Sequence, residues 1–121
     1  MPRRRAERDA AAAGARLYVV YAIELDDRRY PGRAPQVYVG STAKRPEERF
    51  AQHKAGGRLA NSMASRYGTR LRPDLTKRLG PYPTRDAAEA AETRLRRRLE
   101  RRGWVVYGGT GRRLFEDWAN S

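Results

Sequence analysis

The chain has 121 residues, enough for one domain around a single core. Its 27 basic and 14 acidic residues leave a formal net charge of +13, with arginine supplying nearly all of the basic side. Guanidinium groups pair bidentately with phosphate, so this composition points to nucleic acid as the partner. With no cysteine and one histidine, disulfides, thiolate metal sites, cysteine nucleophiles and a His-rich metal centre are excluded. No apolar run reaches the ~18 residues of a membrane-spanning helix.

Residues 1–16 are rich in arginine and alanine and lack the apolar centre of a secretory signal. They read as a solvated basic arm on a cytoplasmic protein. Residues 17–25, Leu-Tyr-Val-Val-Tyr-Ala-Ile-Glu-Leu, are β-branched and aromatic and predict a strand with Val19, Tyr21 and Ile23 on one face and Tyr18, Val20 and Ala22 on the other. A connection containing Pro31, Gly32 and Pro35 leads to a second strand over 36–40, so Tyr21 and Tyr38 fall on neighbouring antiparallel strands.

Pro46 followed by Glu47 and Glu48 predicts a helix start, because proline at the first turn loses no hydrogen bond and acids suit the helix dipole. That helix should run to about Ala55 and stop at Gly56-Gly57. Arg49 and His53, four positions apart, share one of its faces, with Phe50 as core anchor. A short helix is expected over Ala60–Tyr67, and an irregular third strand within 69–79, where Pro73, Gly80, Pro81 and Pro83 interrupt an otherwise apolar pattern.

Residues 84–102 form the clearest helix, with Thr84 as N-cap and Gly103 as its stop. Leu95, Leu99, Ala88 and Ala91 define its buried stripe. At ~100° per residue Glu92 falls about 20° from Leu99 and so inside that stripe, whereas Glu89 lies about 120° from Leu95 on the polar side. A carboxylate on an apolar stripe is costly unless a cation or hydrogen bonds satisfy it, which singles out Glu92. Arg94, Arg96, Arg97, Arg98, Arg101 and Arg102 give this helix a charge run that serves either as a solvated face or as a phosphate contact. Trp104-Val105-Val106-Tyr107 predicts a small edge strand, and residues 110–121 a tail in which Trp118 docks back.

Taken in order, Val19-Val20-Tyr21, Tyr38-Val39-Gly40, the Arg49/His53 pair and Glu92 match a known pattern. Over residues 17–109 the chain resembles the GIY-YIG nuclease superfamily. The resemblance implies an α/β (α+β) domain with a small central antiparallel sheet of about three strands flanked by helices. It also implies that Tyr21, Tyr38, Arg49, His53 and Glu92 are catalytic, with Glu92 as metal ligand. Two departures stand out. Val19 replaces the leading glycine, and Gly108-Gly109 stands where the family usually carries an asparagine; Asn120, the only later one, lies in the tail.

Phosphodiester hydrolysis needs an activated water, neutralisation of the phosphoryl oxygens and help for the leaving alkoxide. Tyr21 is expected to act as base or to position the water, Arg49 to clamp the phosphate, His53 to relay the proton, and Tyr38 to hydrogen-bond a phosphate or order Tyr21. A phenol titrates near 10, so service near neutral pH requires Arg49 and a bound cation to lower it by roughly two units. Any metal must be Mg²⁺ or Mn²⁺ on carboxylate and water, here Glu92. Gly40, Ser41, Thr42, Lys44 and Arg45 are expected substrate contacts. The expected partner is DNA, with no membrane, and with specificity drawn from the domain's own surface, a homodimer or a partner protein. The alternatives are a non-catalytic nucleic-acid-binding module of the same fold and a basic RNA- or ribonucleoprotein-binding protein.

Overall fold

A computed structural model describes residues 16–30 and 32–108. The basic arm over residues 1–15, Gly109, the 110–121 tail, Trp118 and Asn120 lie outside the described residues. Four strands form one sheet: β1 (Val19–Leu25), β2 (Gln36–Thr42), β3 (Gly68–Leu71) and β4 (Val105–Gly108), in the order β3-β1-β2-β4. Helices α1 (Pro46–Ala55), α2 (Ser62–Tyr67) and α3 (Arg85–Arg101) flank it, with a 3₁₀ turn at Pro73–Leu75.

The mixed α/β class is as expected, but the sheet has four strands and is not wholly antiparallel. β1 pairs antiparallel with both β2 and β3, whereas β4 runs parallel to β2 with Tyr38 opposite Tyr107 and Val39 opposite Gly108. The cause is α3. A helix between β3 and β4 carries the chain across the sheet to its opposite edge, and the strand then enters in the direction a crossover imposes. β3 is short because Pro73 follows it, cannot donate to a ladder, and opens the 3₁₀ turn instead.

Alternation along β1 and β2 sorts the core into two layers. Val20, Ala22, Val37 and Val39 pack against Ala91, Leu95 and Leu99 of α3. Tyr21, Ile23, Leu25 and Tyr38 face α1 and α2, where Phe50, Met63, Ala64 and Tyr67 meet them. The Thr84 hydroxyl caps α3 by accepting from the Ala87 N–H at 3.1 Å, as its sequence position predicted. Helix α1 keeps the bounds read from Pro46 and Gly56-Gly57, while α2 starts at Ser62, two residues later than expected, because the Asn61 side chain caps it through the Ala64 N–H.

At the β3 edge Arg72 bridges Glu24 at 2.7 Å and Asp74 at 2.9 Å while stacking over Trp104, tying β1 to the 3₁₀ turn and to the residue before β4. Leu99 is fully buried between α3 and the sheet. Leu99→Ala should cost about 2–5 kcal/mol of unfolding free energy, read as a lower urea midpoint at an unchanged m-value.

Candidate active site

β4 pairs with β2 only as far as Val39, so among the described residues the Gly40–Thr42 end of β2 has no neighbour on that side. A cleft of about 630 Å³ opens there. Residues from both faces of the sheet reach it: Tyr21, Tyr38 and Arg49 from the α1/α2 side, and Ser41 and Glu92 from the α3 side. Segments far apart in sequence therefore converge where the sheet runs out.

Tyr21 and Tyr38 are not directly opposite. Tyr21 faces Gly40, and Tyr38 faces Ile23, which sets the two rings diagonally with centroids 6.2 Å apart. Gly40 is required by that arrangement. A Cβ at this position would lie 2.6 Å from Tyr21 Oη and 2.7 Å from its Cζ, so the phenol lies on space that only glycine vacates.

His53 closes the group from α1 and is completely buried, its ring 5.4 Å from Tyr38 in an edge-on contact. Its hydrogen bonds fix its tautomer. The Asn61 backbone N–H donates to His53 Nδ1 at 2.9 Å, so Nδ1 carries no proton. The neutral ring then bears its proton on Nε2, which donates to Tyr21 Oη at 2.9 Å. Burial, helped by the neighbouring Arg49 guanidinium, lowers His53 from 6.5 to about 4, so this neutral form is the one present near pH 7. In this arrangement His53 is a donor to the phenol oxygen, not a relay that takes the phenol's proton.

The phenols are also displaced from the values expected of them. Burial raises Tyr21 well above its ordinary value, the facing Tyr38 adds to the rise, and Arg49 pulls the other way without overcoming them. Burial and the Glu92 carboxylate raise Tyr38. Arg49 alone therefore does not supply the lowering that was expected from Arg49 and a bound cation together.

Glu92 lies on the buried stripe of α3 with Ala88, Ala91, Leu95 and Leu99, only 3 % exposed. Its Oε2 accepts the Ser41 hydroxyl at 2.9 Å. It is, among the described residues, the one carboxylate lining the cleft, against Arg49, Arg58 and Arg85. Among the described residues no group of three His, Cys, Asp or Glu side chains gathers that could cage a metal. A single carboxylate suits a hard cation that keeps most of its water, as Mg²⁺ does, and does not suit a zinc or calcium cage.

Of the expected substrate contacts, Gly40 and Ser41 line the cleft, and Thr42, Lys44 and Arg45 do not. The Thr42 hydroxyl is occupied by the Lys44 N–H at 3.0 Å, closing the turn after β2, and Arg45 turns outward onto Glu48 at 2.9 Å. Besides Arg49, the cations that line it are Arg58 and Arg85, which were not among the sequence candidates. Each follows a punctuation signal, Gly56-Gly57 and the Thr84 cap, that fixed an element boundary without saying what the boundary faced. The departure at Gly108 also has a steric basis: a Cβ there would meet the Val39 carbonyl and come within 2.9 Å of Arg96 Cδ, so no side chain fits.

The match to known proteins agrees with this geometry. The GIY-YIG catalytic domain model matches residues 17–104, most of the chain, and the protein belongs to that family. The family is one of nucleases that generally use divalent metals, so nucleic acid is the substrate its fold implies. No curated protein and no solved structure matches the chain significantly. None of the helices among the described residues is long and apolar enough to cross a membrane.

The His53 burial has a signed consequence for stability. Unfolded chains bind a proton on histidine below pH 6.5, whereas folded His53 resists it down to about 4. Its contribution is complete above pH 6.5 and is lost as pH falls toward 4. Melting temperature should therefore drop more steeply over that interval in the wild type than in His53→Gln.

Proposed function

We propose that the protein is a divalent-metal-dependent endonuclease that hydrolyses DNA phosphodiester bonds in the cleft beside Gly40 and Ser41. The observation that carries this reading is the convergence of Tyr21, Tyr38, Arg49 and the buried Glu92 on one arginine-lined opening, with His53 hydrogen-bonded to Tyr21 from behind its wall. That combination pairs an acid able to hold a cation with a phenol able to exchange a proton and with cations able to receive phosphate.

Arg49, Arg58 and Arg85 attract the phosphate and orient it, and desolvation at the cleft wall strengthens that pull. Arg49 is held in position before any phosphate arrives, since its Nη2 donates to the Leu59 carbonyl at 3.0 Å and its Nη1 to Gln52. Tyr21 acts as base in its phenolate form: its own proton first leaves to bulk water, and the phenolate oxygen then takes the proton from the attacking water. The anion it needs is favoured by the Nε2–H of His53, which donates to its oxygen, and by the neighbouring Arg49 charge, and opposed by burial. Tyr38 orders Tyr21 through the tilted contact between their rings. Glu92, braced by Ser41, would hold Mg²⁺ or Mn²⁺, which supplies positive charge to the phosphoryl oxygens and leaving group when bound.

Plasmid, nicked and branched DNA incubated with Mg²⁺ or Mn²⁺ test the reading. The wild type should cleave at least one of them, Glu92→Ala should abolish turnover, and Tyr21→Phe should lower kcat about 10²–10⁴-fold. Gly40→Ala should lower activity in the same direction by expelling the phenol from its seat. Cleavage that survives Glu92→Ala and Tyr21→Phe, or no cleavage of any substrate by the wild type, overturns it.

The pH profile supplies an independent check. With His53 neutral down to about pH 4 and Tyr21 raised, kcat should climb with pH above 7 and show no inflection near 6.5. A histidine-like inflection there would assign the base to His53 instead.

A further inference from the structure

Between α1 and α2 the chain makes a short loop, Gly56-Gly57-Arg58-Leu59-Ala60-Asn61. Leu59 stands out in it: at 67 % it is the most exposed large apolar side chain among the described residues, ahead of Tyr30 at 38 %. A lone surface leucine is ordinary. This one lines the catalytic cleft with Arg58 directly before it in the chain, so its surroundings are cationic and not apolar.

The loop that carries Leu59 is fastened to the catalytic group at two points. The Leu59 carbonyl accepts Arg49 Nη2 at 3.0 Å, and the Asn61 N–H donates to His53 Nδ1 at 2.9 Å. Gly56 and Gly57 take φ values of +78° and +98°, so the turn out of α1 uses conformations that favour glycine. The Gly56 N–H returns to the His53 carbonyl at 3.0 Å and the Ala60 N–H to the Gly57 carbonyl at 3.2 Å. An apolar side chain is thus held in the open by a tied loop whose backbone positions Arg49 and His53.

A rigidly presented leucine beside a row of phosphate-binding arginines has one chemical partner suited to both. Nucleic acid offers anionic phosphates for the cations and apolar base faces between them, and the base faces become reachable where a step opens. We infer that Leu59 is a DNA wedge: it inserts at a base step next to the phosphate held in the cleft, and it makes duplexes with weakened stacking the preferred substrate class. This inference rests on the cleft being a DNA site, as proposed above. The wedge is a binding and positioning element. Because its carbonyl also holds Arg49, seating the side chain in DNA locks the arginine that faces the phosphate.

Stacking energy lost at the step opposes insertion, so the preference should follow how easily the step opens. Mismatches, nicks and pyrimidine–purine steps separate at lower cost than uniformly stacked duplex.

The test uses the full chain in EDTA, where binding is read without turnover. Two duplexes are compared, fully paired and with a central mismatch, each carrying 2-aminopurine beside the centre. This adenine analogue is dark when stacked and bright when unstacked. The wild type should bind the mismatched duplex about tenfold more tightly and raise its fluorescence. In Leu59→Ser that ratio should fall toward one and the fluorescence rise should vanish, whereas Leu59→Phe should keep both. An unchanged melting temperature of Leu59→Ser shows that the fold is intact.

Equal loss of affinity for the two duplexes, a fluorescence rise that survives Leu59→Ser, or no preference in the wild type overturns the wedge. The nuclease reading fails separately. A wild type that shows the Leu59-dependent preference yet cleaves nothing with Mg²⁺ or Mn²⁺ sinks the nuclease and supports the wedge. Glu92-dependent cleavage with a Leu59-independent fluorescence change sinks the wedge alone.

Discussion

The hydrogen bond from His53 Nε2 to Tyr21 Oη, made over the empty face of Gly40, is the contact on which the site depends. It ties β1 to α1, the two elements that flank the cleft, and it requires three conditions at once. The backbone at residue 40 must carry no side chain, the imidazole must present Nε2–H, and a donor must occupy Nδ1 on the far side. The last condition is met by a backbone amide, that of Asn61, and not by a side chain. A backbone donor cannot titrate or rotate away, so the tautomer is fixed by the course of the chain. The loop between α1 and α2 is therefore part of the site's chemistry and not only a connection.

Much of this was legible in the chain, for identifiable reasons. Strand alternation placed Tyr21 with Ile23 and apart from Val20 and Ala22, and the two core layers follow that division. Helical periodicity placed Glu92 on the buried stripe of α3, where it lies. Pro46 and Gly56-Gly57 bounded α1 because their backbone constraints are local. What was not legible depends on tertiary contacts. The parallel pairing of β4 requires knowing that α3 crosses the sheet, and four apolar residues near the end of a chain carry no direction. Arg58 and Arg85 face the cleft only because two boundaries meet in space. Lys44 and Arg45 are near Gly40 in sequence but beyond a turn that points them to solvent.

The same limit applies to charge. The sequence suggested that Arg49 together with a bound cation would depress the Tyr21 phenol, since opposite charges close together favour ionisation. The structure adds the opposing quantity, which is burial, together with a second phenol that repels an anion on the first. Burial wins because the ring lies between sheet and helix, and desolvation acts on the whole anion while Arg49 sits to one side, engaged with Gln52 and Leu59.

That balance explains why phenols, not carboxylates, occupy the inner wall. A carboxylate placed between β1 and α1 would carry its charge at neutral pH and meet a desolvation penalty of several kcal/mol, whereas a phenol is buried neutral with its hydroxyl hydrogen-bonded. With Tyr21, Tyr38 and His53 all uncharged, the formal charges that the described residues bring to the cleft are three arginines and Glu92. The opening stays positive and receptive to phosphate, and its one anion sits 3 % exposed under the Ser41 hydroxyl. An ionised base at rest would place a second negative charge against the incoming phosphate and weaken the attraction that the chain's charge of +13 provides. In the proposed reaction, a proton kept on Tyr21 until a phosphodiester is in place would reconcile a site that binds an anion with a step that needs one.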